Sequence, residues 1–215
     1  MPRLLSKKEV IEVLDLLKTV HPNPVCELVH DSPFELLVAT ILSAQCTDVR
    51  VNQITAKIFP QYNKPEDFAD MEQARLEELI KSCGFFRNKA KNIIAASEQI
   101  VKDYGGEVPQ TVEQLEQLAG VGRKTANVVA SNAFGVPAIA VDTHVFRLAN
   151  RIGMVQEKTV EKTEIALQKK IPKERWTEAH HLLIHHGRYI CKARRPNCAA
   201  CPIQAYCHYY KKLGQ

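Results

Sequence analysis

The chain has 215 residues, of which 45% are hydrophobic and 25% are charged. This length and balance predict one domain or two small ones, with enough apolar side chains to bury a core. The longest uncharged stretch, residues 125–141, contains Gly and Pro and is shorter than the roughly 20 apolar residues that a membrane span needs. No long apolar run follows the basic residues near the N-terminus, so we expect neither a secretion signal nor a membrane segment.

The positive charge is concentrated in the C-terminal part of the chain. Residues 179–215 contain six Lys or Arg and no Asp or Glu, so they carry +6, whereas the whole chain carries +5. A basic segment on a near-neutral body is typical of a face that binds a polyanion, because clustered cations displace counterions from phosphates. A solvated basic tail would have the same composition, and charge alone favours neither interpretation.

The cysteines predict a metal centre. There are seven, an odd number, and without a secretion signal a disulfide framework is not expected. Four lie within 17 residues in the pattern Cys191-x6-Cys198-x2-Cys201-x5-Cys207. Thiolates suit either zinc or an iron–sulfur cluster, and the spacing alone leaves both open. The other three are expected to pack as small core side chains: Cys26, Cys46 and Cys83.

The N-terminal part of the sequence predicts two capped helices. Ser6 and Glu9 have capping-box spacing, and apolar residues follow them at helical intervals. The segment Ser32-Pro33-Phe34-Glu35 combines an N-cap serine, a proline in the first turn and a glutamate that can reach back to the cap. Residues 36–44 are apolar nearly all round, so we predict that this second helix is central and buried.

Two further helices are predicted in the middle of the chain. One has an apolar face between Leu76 and Cys83 and ends at Gly84, and the next ends at Gly105-Gly106. No segment shows the alternating pattern and hairpin signal of paired strands. The sequence therefore predicts an all-α fold.

A tight turn between two short helices is the next feature. Gly120, Val121 and Gly122 form it, and a new helix begins at Arg123. Glycines allow a turn that is too tight for side chains, and backbone N–H groups at the positive end of a helix dipole bind phosphate. A plain helix–helix turn is the alternative. An apolar-Gly-Val-Gly-basic pattern favours a grip on a nucleic-acid backbone.

Lys124 is the candidate nucleophile. It lies in the first turn of that helix, where the helix dipole and Arg123 disfavour a charged ammonium, and a free amine is what Schiff-base chemistry requires. Asp142 follows 18 residues later. A helix about 18 Å long and an extended return of about 23 Å would bring that carboxylate beside the amine. The alternatives are a solvated surface lysine and an aspartate that caps the helix containing Val145.

Three motifs together resemble the endonuclease III family of DNA glycosylases, which belongs to the helix-hairpin-helix superfamily and carries an iron–sulfur cluster. They are Leu118–Asn127, Val141–His144 and the four-cysteine pattern, and the resemblance runs from about Val10 to Cys207. It implies an all-α, two-lobed fold with DNA in the cleft between the lobes. Residues 26–135 would form a helical barrel domain with the hairpin, and residues 1–25 and 136–215 a discontinuous iron–sulfur cluster domain.

The resemblance implies a bifunctional DNA glycosylase and AP lyase of base excision repair. Lys124 would attack C1′ of a damaged nucleotide flipped out of the duplex, and Asp142 would assist. The resulting Schiff base allows β-elimination, which cleaves the strand 3′ to the abasic site. The implied substrate is double-stranded DNA that contains oxidised pyrimidines or abasic sites. Flipping costs least for a damaged base, which contributes to selectivity.

The resemblance also assigns DNA contacts. Gln45, after the central helix, would fill the gap left by the flipped base, and Phe85, where leucine is more familiar, would wedge into the base stack. His144 would contact DNA near the reacting sugar. Each has a structural alternative: a buried amide for Gln45, core packing for Phe85 and a helix cap for His144. The hairpin would hold the backbone, as would basic side chains between the first two clustered cysteines: Lys192, Arg194 and Arg195.

The metal centre implied by the resemblance is a [4Fe–4S] cluster with a mainly architectural role, bound by Cys191, Cys198, Cys201 and Cys207. We interpret the nearby histidines as helix packing or phosphate contacts: His180, His181, His185 and His186. We expect a monomer that acts in the cytoplasm, associated with the nucleoid through DNA.

Four other functions share part of this pattern. An adenine mismatch glycosylase has the hairpin and the cluster but lacks the lysine, and an 8-oxoguanine glycosylase has the lysine and aspartate but ordinarily no cysteine cluster. A non-catalytic helix-hairpin-helix DNA-binding protein would use the hairpin and basic loop only as clamps. A redox sensor would respond to cluster oxidation without DNA chemistry. Lys124 together with Asp142 discriminates the glycosylase/lyase from the clamp and the sensor.

Overall fold

The computed structural model describes residues 3–214, and this range contains helices and turns but no strand, so the all-α prediction is confirmed. The chain divides into two compact units: Cys26–Val136, and Met1–Val25 with Pro137–Gln215. Each unit has an apolar core of its own. The assignment of the two units as functional domains stays a prediction. Within residues 3–214, no helix has the length and apolar character to cross a bilayer.

The unit Cys26–Val136 is built around its first helix, α2. Every residue of α2 from Phe34 to Leu42 is buried, and the helix packs against α3, α6 and α8, as predicted for a central helix. The helices of this unit are α2 (Pro33–Leu42), α3 (Asp48–Ile58), α4 (Pro65–Ala69), α5 (Gln73–Leu79), α6 (Phe86–Tyr104), α7 (Val112–Leu115) and α8 (Arg123–Phe134).

The start of α2 is capped nearly as the sequence predicts. The Glu35 backbone N–H donates to Ser32 Oγ (3.1 Å), which satisfies one of the unpaired N–H groups of the first turn. The Glu35 carboxylate reaches one residue further back than expected, because it accepts from the Asp31 N–H (2.6 Å). The helix ends at Leu42, and the residues after it form a turn that exposes Gln45.

The prediction for the segment before α6 was wrong in its boundary. The helix α5 ends at Leu79, not at Gly84, and Cys83 is buried by a turn in which its N–H donates to the Ile80 carbonyl (2.8 Å). A turn satisfies the same i, i+3 apolar spacing as a helix, which explains the error. The left-handed residue of this segment is Phe85 (φ 57°), whereas Gly105 (φ 62°) ends α6 as predicted.

The second unit combines chain from before and after the first. In it α11 packs against α1 and α9, and α9 also packs against α10 and α12. The Ser6–Glu9 capping box at the start of α1 is confirmed, with Ser6 N–H donating to the glutamate (2.7 Å) and Glu9 N–H to Ser6 Oγ (3.3 Å). The helices are α1 (Lys7–Val20), α9 (Thr143–Ile152), α10 (Val160–Gln168), α11 (Trp176–Tyr189) and α12 (His208–Lys212).

Candidate active site and iron–sulfur centre

The predicted hairpin connects α7 and α8. The Val121 N–H donates to the Leu118 carbonyl (3.1 Å), and the Val121 side chain is buried, whereas Gly120 and Gly122 on either side are exposed. Gly122 is the N-cap of α8 and has no side chain with which to cap it. The helix therefore begins with backbone N–H groups that lack intrahelical acceptors, next to an exposed glycine turn.

Helix α6 holds this hairpin in place. Gly120 has φ +73°, and a Cβ atom built on it would lie 2.6 Å from Cβ of Asn92 on α6. The Gln99 side chain, on the same face about two turns further along, accepts from the Ala119 N–H (2.8 Å) and donates to the Gln117 carbonyl (3.2 Å). The sequence analysis missed Asn92 and Gln99, because neither contact is local in sequence.

Lys124 lies in the first turn of α8 and is half-buried. Its neighbour Arg123 is exposed and forms an ion pair with Glu116 on the other side of the hairpin (3.2 Å). This pair is solvent-exposed and contributes little stability. The ion pair directs the Arg123 side chain toward the segment that precedes the hairpin. Lys124 is the second residue after the glycine turn.

Asp142 is the N-cap of α9. Its Oδ1 atom accepts from both the His144 N–H and the Val145 N–H, each at 2.8 Å, so the capping alternative holds. The chain that leads to it is apolar and buried from Ala138 to Val141. The carboxylate itself is half-buried. Both capping bonds use Oδ1, so Oδ2 is not required for the cap. The proximity of Asp142 to Lys124 stays a prediction.

His144 lies in the first turn of α9 and is half-buried. It packs against Gly187 of α11, where an added Cβ would lie 3.1 Å from His144 Cβ. Its Nδ1 atom is 3.3 Å from Nη2 of Arg147. This histidine is therefore held by packing, and its DNA contact stays a prediction.

The other end of α9 binds the segment that contains the first clustered cysteine. Arg147 Nη2 donates to the Cys191 carbonyl (3.0 Å). Arg151 donates to the Lys192 carbonyl (2.9 Å) and to the Ala193 carbonyl (2.8 Å). Two arginines that the sequence analysis did not single out therefore tie the helix capped by Asp142 to the basic loop.

The three basic side chains of that loop are on the surface, and their contact with phosphates stays a prediction. All three are exposed, and the loop is closed by a bond from the Asn197 N–H to the Ile190 carbonyl (2.9 Å). Arg195 adopts a left-handed backbone (φ 53°). These bonds restrain the backbone of the loop that carries Lys192, Arg194 and Arg195.

The four clustered cysteines line one cavity. Ile190, Pro196 and Tyr209 are among the other residues that line it, and all four cysteines are free thiols. Burial raises the pKa of Cys201 to about 11 and also raises the pKa of Cys207. Thiols in such a place ionise when a cation is bound, so the chemistry of the donor set fits iron.

Four thiolates can bind either one zinc ion or an iron–sulfur cluster, and the cysteine positions alone leave both open. A lone zinc ion would draw the sulfur atoms to about 2.3 Å from one point. Within residues 3–214, no three His, Cys, Asp or Glu side chains are grouped closely enough to hold one metal ion. Cys201 Sγ also lies 3.4 Å from Nε2 of His186, which is buried.

Gln45 and Phe85 lie on two exposed turns with the same unusual backbone. Within residues 3–214, three residues other than glycine have positive φ, and all three are predicted DNA contacts: Gln45 (53°), Phe85 (57°) and Arg195. Phe85 is 65% exposed, so the core alternative does not hold for it, whereas the following Phe86 packs against the core. Gln45 is exposed, so the buried-amide alternative does not hold either.

Comparison with known proteins agrees with this geometry. Residues 38–173 match the HhH-GPD superfamily of base excision DNA repair proteins, and residues 191–207 match the iron–sulfur binding domain of endonuclease III. Endonuclease III of Bacillus subtilis (strain 168) is 51% identical over 210 residues, which are 97% of this chain and 96% of the relative. The chain belongs to the endonuclease III family.

Two solved structures of endonuclease III are similar over nearly the whole length. One is a trapped covalent intermediate with DNA, with a TM-score of 0.94 and 47% identity over 99% of this chain and 100% of that one. The other is a non-covalent DNA complex, with a TM-score of 0.94 and 47% identity over 98% and 99%.

As a member of the endonuclease III family, the protein is a base excision repair enzyme, a DNA glycosylase and AP lyase. It binds DNA and carries a [4Fe–4S] cluster. The iron–sulfur match begins at Cys191 and ends at Cys207, so it contains all four cysteines that line the cavity. The family resemblance drawn from the motifs is confirmed.

The first prediction concerns the hairpin of this endonuclease III homologue. We expect Gly120→Ala to lower the free energy of unfolding by about 2 kcal/mol, because alanine resists a left-handed backbone and its Cβ would collide with Asn92. Binding to duplex DNA of any sequence should weaken with it. Urea unfolding and fluorescence anisotropy measure the two effects.

Gly122→Ala is the matched control, since its φ is −92° and an added Cβ would meet nothing within 4 Å. It should cost less than about 1 kcal/mol, as expected for an N-cap change. Equal losses of stability in the two variants would contradict the role given to Gly120.

Proposed function

We propose that Lys124 is the nucleophile and Asp142 the assisting carboxylate in the removal of oxidised pyrimidines from duplex DNA. The observation that carries the proposal is the position of Lys124 in the first turn of α8, directly after the exposed Gly-Val-Gly hairpin. The turn suited to holding a phosphate thus presents the amine. An endonuclease III that is 47% identical has been trapped as a covalent intermediate with DNA, which is the behaviour of an amine that forms a Schiff base.

The chemistry follows from these two side chains. The Lys124 amine attacks C1′, the bond from C1′ to the base breaks, and the base leaves with the bonding electrons and takes up a proton. The sugar ring opens to a Schiff base, which acidifies the C2′ proton. Loss of that proton expels the 3′ phosphate and cleaves the strand. Asp142, through Oδ2, stabilises the positive charge that develops at the sugar or relays the proton.

The remaining predicted residues bind the duplex. The N–H groups of Gly120, Val121 and Gly122 contact one phosphate without regard to sequence, and the exposed cations of the basic loop contact others. Gln45 fills the gap left by the flipped base, Phe85 enters the stack beside it, and His144 contacts DNA near the reacting sugar. One copy of the chain supplies all of these groups, so we infer that it acts as a monomer on chromosomal DNA, in the cytoplasm.

The cluster holds the basic loop. We infer that Cys191, Cys198, Cys201 and Cys207 bind the iron, because these four line the cavity. When bound, the cluster supplies a covalent tie between the two ends of the loop. The braces from Arg151 then restrain the loop from its other side. A loop whose backbone is already restrained loses less backbone freedom when its cations bind phosphates.

The second prediction tests the nucleophile. Lys124→Gln should reduce strand cleavage at an abasic site by roughly 10³-fold or more and abolish the adduct trapped by borohydride, while DNA still binds. Gel analysis of borohydride-treated reactions measures both. Lys102→Gln, an exposed lysine of α6, is the control and should trap normally. Cleavage at a comparable rate in Lys124→Gln would show that another residue is the nucleophile. Intact binding without any adduct in the unmutated chain would instead favour the clamp.

The third prediction separates the two roles of Asp142. Asparagine is as good an N-cap as aspartate, so Asp142→Asn should change the free energy of unfolding by less than about 0.5 kcal/mol. It removes the charge, so the single-turnover rate of base excision should fall by about 10²- to 10⁴-fold. Excision at the normal rate in Asp142→Asn would limit Asp142 to capping α9.

The fourth prediction concerns the basic loop. Arg194→Ala should weaken binding to any duplex sequence and reduce the slope of log K against log salt by about one. Titrations at several salt concentrations measure the slope. Lys173→Ala, which removes one exposed charge from the same unit outside the loop, is the control and should leave the slope unchanged. The same slope in Arg194→Ala as in the unmutated chain would remove the loop from the DNA interface.

A further inference from the structure

Lys89 is a buried lysine to which neither the sequence motifs nor the chemistry above gives a role. It lies in the second turn of α6 and is 5% exposed. Its Nζ donates to the Leu42 carbonyl (2.9 Å) and to the Ala44 carbonyl (2.6 Å), and it lies 3.1 Å from Cys83 Sγ. Its spacing from Ile93 and Ile100 places it on the buried face of the helix, which is a sequence signal for its burial but not for its partners.

The place where the ammonium lies explains why it is tolerated. An ammonium has three N–H donors, and the two carbonyls and the thiol supply three acceptors. Leu42 is the last residue of α2, so the ammonium also lies at the negative end of that helix dipole and satisfies a carbonyl that has no helical donor. A buried charge is costly unless it is fully bonded, so these contacts hold the backbone around them firmly.

One of these contacts fixes the turn that carries Gln45. The Ala44 carbonyl bonded by Lys89 belongs to the peptide directly before Gln45. Gln45 then adopts its left-handed backbone, and the Cys46 N–H closes the turn on the Ser43 carbonyl (3.1 Å). The direction in which the Gln45 side chain leaves the surface depends on this peptide.

The same residue fixes the turn that carries Phe85. The Lys89 backbone N–H donates to the Phe85 carbonyl (3.1 Å). Cys83, which the ammonium contacts, also donates to the Leu42 carbonyl (3.2 Å). Between them, a Cβ added to Gly84 would lie 3.7 Å from the Gln45 carbonyl oxygen. The two left-handed turns are therefore neighbours that are joined through Lys89.

We propose that Lys89 is a positioning residue for base extrusion, which holds the Gln45 turn and the Phe85 turn in one fixed arrangement so that both side chains enter the duplex together. This inference rests on the proposed function, since it takes Gln45 and Phe85 as the gap-filling and wedge residues. Lys89 itself contacts neither the sugar nor the base. Its effect is on the extrusion step and not on the chemistry of Lys124.

The test is Lys89→Met in the full, cluster-loaded chain. Methionine matches the length of lysine but cannot donate, so the Ala44 carbonyl before Gln45 loses its bond and the Leu42 carbonyl keeps only the donor from Cys83. Excision of an oxidised thymine from duplex DNA should fall by about 10- to 100-fold, as expected for a misplacement near 1 Å. The fluorescence change of 2-aminopurine placed opposite the lesion should be lost with it. Borohydride trapping on single-stranded abasic DNA should stay within about twofold, since no base stack has to be opened there.

Double-variant cycles separate this role from a loss of stability. In a Gln45→Ala/Phe85→Ala background, Lys89→Met should cause no further loss of excision, because it acts through those two residues. Ser97→Ala is the matched control: it removes a buried hydrogen bond to the Ile93 carbonyl (2.8 Å) in the same helix and should alter the melting temperature without changing the 2-aminopurine signal. Lys89→Gln keeps N–H donors, so it should recover part of the excision rate that Lys89→Met loses. If Lys89→Met does not fold, Lys89→Gln is measured in its place.

Each result decides the matter. Excision at the normal rate in Lys89→Met would overturn the inference. So would a loss of excision that adds in full to the loss caused by Gln45→Ala/Phe85→Ala. An equal loss of borohydride trapping on single-stranded abasic DNA would overturn it as well. If Gln45→Ala and Phe85→Ala themselves leave excision and fluorescence unchanged, the fault lies in the DNA contacts of the proposed function, and the inference falls with them.

Discussion

Hydrogen bonds from one face of α6 to the turns around it are the interaction on which the predicted site in Cys26–Val136 depends. Lys89 bonds the turn after α2 and the turn before α6, and Gln99 bonds the chain that enters the hairpin. Asn92, between them, leaves room only for a glycine at position 120. A 19-residue helix with a buried apolar face is rigid, so the three turns share one rigid support.

Helix α9 supports the predicted site residues of the other unit in the same way. Asp142 caps its N-terminus, and Arg147 and Arg151 bond the backbone at the start of the basic loop. These side chains lie at intervals of five and four residues, so one helix orients the carboxylate and the basic loop at the same time. Apart from His144, which lies on α9, the predicted DNA contacts in both units lie on turns, and the groups that hold these turns lie on helices. This division gives precise placement without burying the turns themselves.

The sequence predicted the features whose signals are local. The Ser6–Glu9 capping box, the Ser32 cap, the glycine hairpin, the end of α6 at Gly105 and the cap at Asp142 each depend on residues within a few positions, and the structure has them. The reach of Glu35 to Asp31 in place of Ser32 is the exception among the capping pairs. The bonds from Lys89, Gln99 and Arg151 could not be predicted, because each joins a side chain to a backbone carbonyl or N–H between 18 and 47 residues away. The predicted end of α5 was wrong because a turn can bury apolar residues at the same i, i+3 spacing as a helix.

The left-handed residues show what these supports make possible. At Gly120 the backbone alone is needed, and glycine adopts positive φ without strain. At Gln45, Phe85 and Arg195 a side chain has to project, and each L-residue there costs roughly 1–2 kcal/mol. Glycine would remove that cost together with the side chain that the proposed DNA contact requires. Strain of this kind persists only where surrounding bonds over-determine the backbone, and for two of the three residues those bonds converge on Lys89.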